Sequence, residues 1–209
     1  MIQTKKKSVL ISLASFACSL MLAVSMQSAT AASSVQKFSG TDDSVITIPV
    51  LKVPVVVTAS YVGEENFIVH PVYSSGREGY SWMNEIGDWN GTIFQEADRA
   101  GFAAISVKTV GDWTIQIAPL ASAPVVNPKQ YTGHGMQVIK FAKPSSGLKK
   151  ISLTHAGESN FIVHPINAKG GRGYSMINEI ADYHGSVLLP SGTQYLAVIA
   201  DGEWTISVK

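Results

Sequence analysis

Asn66-Phe67-Ile68-Val69-His70-Pro71 recurs 94 positions later as Asn160-Phe161-Ile162-Val163-His164-Pro165. The match runs on through Gly79-Tyr80-Ser81 and Gly173-Tyr174-Ser175, then through Asn84-Glu85-Ile86 and Asn178-Glu179-Ile180. From Gly63 to Gly91 there are 17 identities in 29 columns against Gly157 to Gly185. The chain therefore reads as a duplicated module. Within the repeated stretch the hydrophobic period is two: Phe67 and Val69 fall on one face of a strand, Ile68 and His70 on the other. This stretch fixes the fold class as all-β.

The same period extends outward. Val45 to Leu51 and Val53 to Ala59 are rich in Val, Ile and Thr. Trp113, Ile115 and Ile117 alternate with Thr114 and Gln116, and Trp204, Ile206 and Val208 repeat that alternation. Turn residues punctuate the runs at Gly63, Ser75-Gly76, Asn90-Gly91 and Gly111, and again at Gly157, Gly170-Gly171, Ser191-Gly192 and Gly202. About seven short strands per module predict two tandem antiparallel β-sandwich repeats, of jelly-roll or immunoglobulin-like connectivity. The modules are expected at 36–119 and 130–209. Residues 120–129, with Pro124 and Pro128, should form a short extended linker. Pro49 and Pro54 belong at strand ends or edges. The copies differ most where Glu96-Ala97-Asp98-Arg99-Ala100-Gly101 faces the shorter Pro190-Ser191-Gly192-Thr193, a length change suited to a surface loop.

Residues 1–31 have the form of a secretory signal peptide. Lys5, Lys6 and Lys7 precede an apolar run from Val9 to Val24, and Ala29-Thr30-Ala31 supplies the small residues of a cleavage site. A retained anchor is the rival reading, since the run approaches the ~20 apolar residues of a span. The small-residue site favours cleavage after Ala31 and no stable membrane insertion afterwards. Lipidation at Cys18 is disfavoured, because apolar sequence continues past it. The processed chain would lose three of its 16 basic residues and none of its 15 acidic ones, giving a formal charge of −2. That balance offers no footprint for nucleic acid. Cys18 is the only cysteine, so the exported product would have no disulfide, thiol nucleophile or thiolate metal site.

One resemblance can be stated from these residues. Thr154-His155-Ala156-Gly157, the Asn-Phe-Ile-Val and Asn-Glu-Ile blocks, Asp182-Tyr183-His184-Gly185 and Ala200-Asp201-Gly202-Glu203-Trp204-Thr205-Ile206 resemble an uncharacterised module of bacterial secreted proteins and lipoproteins. That module is similar in general shape to pre-peptidase C-terminal and other non-catalytic β-sandwich modules. The first half departs from it: Ser60-Tyr61 stands in place of Thr-His, and Thr109-Val110-Gly111-Asp112 in place of Ala-Asp-Gly-Glu. The resemblance implies fold and export, and carries over no catalytic residue.

Candidate chemistry is sparse. His70 and His164 each precede a proline without a second histidine at ligand spacing, which points to rings that bond a nearby turn. Asn84, Glu85 and Asp88, with Asn178, Glu179 and Asp182, gather oxygen ligands beside a turn and are candidate calcium seats. Their alternative is that Asn and Asp bond turn backbone while Glu faces solvent. Gly79-Tyr80-Ser81 lacks the second glycine of a nucleophile elbow. Trp113 and Trp204 read as core. Trp82 and Trp89 are replaced by Met176 and Tyr183 in the copy, so packing does not demand indole there. Trp82, Trp89 and Tyr183 are accordingly the candidate binding aromatics, offering flat faces for sugar rings.

The expected function is that of a secreted, non-catalytic binding protein acting at or outside the bacterial envelope on an extracellular polymer or protein. Two weak sites on a short linker would gain avidity. An exported antibacterial or inhibitory protein and a metal-dependent enzyme are the alternatives.

Overall fold

A computed structural model describes residues 34–209, and the expected signal peptide with Cys18 lies outside the described residues. The described chain is all-β and antiparallel apart from one short parallel pairing. The first half contains β1 (Gln36–Leu51), β2 (Val55–Val62), β3 (Asn66–Tyr73), β4 (Met83–Ile86), β5 (Trp89–Gln95) and β6 (Phe102–Pro119). A short 3-10 turn at Leu120–Ser122 and β7 (Val125–Val126) follow. The second half contains β8 (Tyr131–His134), β9 (Gln137–Phe141), β10 (Lys149–Ala156), β11 (Asn160–Asn167), β12 (Ile177–Ile180), β13 (Tyr183–Leu189), β14 (Thr193–Ile199) and β15 (Glu203–Val208). Among the described residues no helix is long and apolar enough to cross a membrane.

Pairings recur in the two halves. Ile68 faces Asn84 across β3–β4, and Ile162 faces Asn178 across β11–β12. In the second half one sheet runs β13-β10-β15-β8 and another β12-β11-β14-β9-β7. In the first half two long strands do the work of four. The first part of β6 pairs with β3, while its last part pairs with β2. The strand β1 follows β6 along its length with bulges around Asp42. There the Asp43 carboxylate accepts the Thr109 N–H at 2.7 Å, filling a gap in the ladder. The second copy breaks at the same bend, with Gly135 and Ala200-Asp201-Gly202 standing between strands. About seven short strands are expected per module; the first half has six before the short turn, because the bulged β1 and β6 each run on where the second half breaks, and the second half has eight of 4–8 residues.

Alternating residues bury one face of each strand. Val57, Ala59, Tyr61, Phe67, Val69, Ile105, Trp113 and Ile115 form the first core. Ile151, Leu153, Phe161, Val163, Leu196, Trp204 and Ile206 form the second. The Trp113 ring lies over Gly40 on the paired strand, and Trp204 lies likewise over Gly133. A Cβ on Gly40 would stand 2.5 Å from the indole, so the Phe/Tyr-Ser/Thr-Gly starts of both copies are glycine by close approach. The outer faces carry hydroxyl ladders: Ser60 with Thr114 at 2.8 Å, and Thr154 with Thr205 at 2.6 Å.

A third apolar cluster joins the halves. Val56 and Ala118 of the first pack with Val138, Ile166, Tyr195 and Ala197 of the second. The segment expected as a short extended linker is part of this seam: Leu120 and Ala123 are buried in it, and β7 pairs with β9. A Thr92 N–H donates to the Met136 carbonyl at 2.9 Å, and Arg172 pairs with Glu96 at 3.0 Å across the same boundary. Burial of this apolar surface makes the two halves one body.

Candidate functional site at the seam of the two halves

The strand β5 leaves the first core and runs along the seam. Its first residue, Trp89, packs obliquely on Phe67 with ring centroids 6.4 Å apart. The indole folds back over Gly91, which therefore cannot carry a Cβ without a clash. Half-buried, Trp89 walls a cavity of about 400 Å³ with Glu85, Asp88 and Asn90 on one side and His134, Asn160 and Asp201 on the other. A second cavity of about 380 Å³ lies farther along the seam, walled by Tyr80, Trp82, Gln95, His164 and Arg172.

The acidic groups of the first cavity are not equivalent. Burial pushes the Glu85 carboxyl above its ordinary range. Burial would raise Asp201 too, but N–H groups of Glu158 and Ser159, with the nearby His155, hold it below that range. Both N–H donors reach Asp201 Oδ2 at 2.9 Å. Its Oδ1 lies 3.1 Å from His155 Nε2, close enough for an ion-pair contact but not hydrogen-bonded to it. The His155 Nδ1–H donates to the Ala181 carbonyl at 2.9 Å, and its ring stacks on Phe161 at 4.7 Å. The first half places Tyr61 at this point, stacked on Phe67 at 5.0 Å and donating to the Val110 carbonyl. A buried His–Asp contact has thus replaced a tyrosine hydroxyl in the second copy. The Tyr-to-His difference between Ser60-Tyr61 and Thr154-His155 was its sequence signal, but the partner Asp201 lies 46 residues away.

Of the three candidate aromatics, Trp89 walls the first seam cavity, Trp82 the second, and Tyr183 neither. Trp82 is 7% exposed, sits edge-on to Phe102 and donates through Nε1 to Gln95 Oε1 at 2.6 Å, so it has no open face for stacking. Tyr183 is half-buried, packed on Phe161 at 5.7 Å and folded over Gly185. The three candidate aromatics therefore stand in three different surroundings.

The candidate calcium seats do not assemble. Asn84 and Glu85 are neighbours on β4, and neighbours on a strand point to opposite faces. The same holds for Asn178 and Glu179 on β12. Asp88 accepts the Gly63 N–H at 2.9 Å and Asp182 accepts the Gly157 N–H at 3.1 Å, so both carboxylates bind turn backbone. Among the described residues no three His, Cys, Asp or Glu converge in a metal-holding arrangement. His70 and His164 bond turns through Nδ1, to the carbonyls of Gly79 at 3.0 Å and Gly173 at 3.2 Å.

Among the described residues the two most exposed aromatics are a pair for which the sequence offered no binding role. Tyr80 is 98% and Tyr174 99% exposed, at matching positions in the two copies.

No protein-family model matches the chain, and comparison with curated proteins finds no match. Among solved structures, the chain is similar to the regulatory domain of Toxoplasma gondii PKA co-crystallised with cAMP. That likeness has 9% identity, covers 83% of this chain and 77% of the other, and has a TM-score of 0.21. At that depth it carries no argument about fold or ligand.

Proposed function

We propose that residues 36–119 and 130–209 are two copies of one β-sandwich unit, exported by removal of residues 1–31. In this reading the product is a non-catalytic binding protein that works outside the cell or in its envelope. Its ligand is a saccharide held in the cavity between the halves. The observation that carries the reading is Trp89: a half-buried indole walling a polar cavity with Asn90 and Asn160 beside it. Sugar rings need an apolar face together with amide and carboxylate partners at their edge, and this cavity offers both. Equilibrium titration of the processed protein with neutral oligosaccharides tests it. Binding that weakens at least tenfold in Trp89→Ala, with the fold intact by circular dichroism, is the expected result. Binding indifferent to that substitution rejects the site.

A second reading is favoured by one observation. A raised carboxyl, Glu85, and a depressed one, Asp201, wall the same cavity, the pattern a glycoside hydrolase uses to divide acid and base. Against it, Asp201 is engaged by two N–H groups and by His155, leaving no free carboxylate for the second role. Cleavage of any titrated oligosaccharide, abolished in Glu85→Gln, would replace binding with catalysis.

A further inference from the structure

The repeated motif builds the same device twice. In the first copy the Gly79 N–H donates to the Pro71 carbonyl at 2.7 Å, and the Trp82 N–H to the Val69 carbonyl at 2.7 Å. In the second, the Gly173 N–H donates to the Pro165 carbonyl and the Met176 N–H to the Val163 carbonyl, both at 2.8 Å. Each pair of bonds pins the chain on both sides of a Tyr-Ser dipeptide, which bulges out between them. The histidine before the proline completes the clamp, its Nδ1–H donating to the glycine carbonyl just ahead of the tyrosine. The fit there is close, since a Cβ on Gly79 would press to 3.1 Å from the Pro71 ring. The shared His-Pro step and the shared glycine before the tyrosine thus hold a tyrosine out in water in both halves.

Packing does not account for those tyrosines. The corresponding strands β2 and β10 share no identical residue across eight aligned positions, although Val57/Ile151 and Ala59/Leu153 lie in the cores. The cores tolerate exchange, while a side chain in contact with almost nothing is the same in both halves. Each tyrosine also stands at a concave rim. Tyr80 borders the 380 Å³ cavity of the seam, and Tyr174 borders one of about 440 Å³ with Asn167 and Thr193.

We propose that Tyr80 and Tyr174 are paired stacking platforms for a single extended, neutral polysaccharide, which therefore reaches beyond the seam cavity. The inference rests on the saccharide reading of that cavity. A ligand that meets the same presented ring twice on one rigid body must repeat its own chemistry, so it is a polymer. An uncharged Gly-Tyr-Ser tip offers a ring face, a phenol and a hydroxyl, which suit hydroxylated rings better than charged groups. Two linked contacts raise the effective concentration of the second and favour long chains over short ones. His70 and His164 are positioning residues.

The test uses the processed protein with cello-, laminari- and chito-oligosaccharides of rising length, together with thermal unfolding of every variant. Affinity should grow with chain length. Tyr80→Ala and Tyr174→Ala should each weaken long-chain binding about three- to tenfold, and the double variant by about the product. Both should leave Tm unchanged, because the rings touch nothing in the free protein. His70→Ala should reproduce part of the Tyr80→Ala loss, and His70→Gln, which keeps an N–H donor, should restore it. Parent-like binding in the double variant overturns the proposal, as does a Tm loss comparable to that of a core substitution. If Trp89→Ala abolishes binding while the tyrosine variants do not affect it, the seam cavity stands and the paired platforms fall. If no oligosaccharide binds at all, both fall together.

Discussion

Replacing His155 with alanine removes the best-connected polar group in the second core. The ring stacks on Phe161 with an interplanar angle of 6°, and such a pair contributes about 0.5–1.5 kcal/mol beyond its burial. Its loss strands the Ala181 carbonyl without its donor, at about 1–3 kcal/mol. The contact with Asp201 adds no more than about 1 kcal/mol, because that carboxylate is 38% exposed and water screens it. His155→Ala should therefore cost about 2–5 kcal/mol. For a chain of this size that corresponds to a fall in Tm of roughly 5–15 °C. His155→Tyr should recover much of the loss, since Tyr61 holds the corresponding place over Gly63 in the first half. Urea unfolding monitored by tryptophan fluorescence gives both values. Asp201→Asn supplies the pH arm. The folded protein holds the Asp201 carboxyl below its ordinary range, so its contribution is complete above the unfolded value of about 4 and is lost as pH falls through the folded one. The deficit of Asp201→Asn should be about 1 kcal/mol at pH 7 and should disappear in the acid range below both values. A loss under about 1 kcal/mol in His155→Ala, or an Asp201→Asn deficit that persists in acid, would refute the account.

Further outcomes follow from other parts of the molecule. Gly133→Ala drives a methyl group into the Trp204 indole and should destabilise by about 1–3 kcal/mol in thermal unfolding, with Gly40→Ala behaving alike at Trp113. Arg172→Ala removes an ion pair whose two side chains are both more than a third exposed, so its cost should stay under about 1 kcal/mol despite the pair's place at the seam. Ala197→Asp places a charge in the buried cluster between the halves, and small-angle scattering should report a more extended molecule while each core persists. Amino-terminal sequencing of protein recovered outside an expressing cell should begin at Ala32 if residues 1–31 are removed as expected.

The strands were legible because a period of two is local information: Phe67 and Val69 declare their buried face whatever surrounds them. The turn role of His70 was legible too, since its ring bonds backbone only nine residues away, whereas Asp88, offered as a calcium seat, bonds the Gly63 N–H 25 residues away. What could not be read was every property set by distance along the chain. Trp82 and Trp89 look alike in sequence, yet Trp82 is held edge-on by Phe102 and by a bond to Gln95 with little of it exposed, while Trp89 lies half-buried along its own cavity. The rejoining of β1 and β6 through a bulge, the clamping of residues 120–126 and the His155–Asp201 contact also depend on groups brought together only by the packed sheets. A pattern along one strand decides which way a side chain points. Whether water, a ring or another half of the molecule waits there is decided by how much apolar surface remains to be buried once the cores are full.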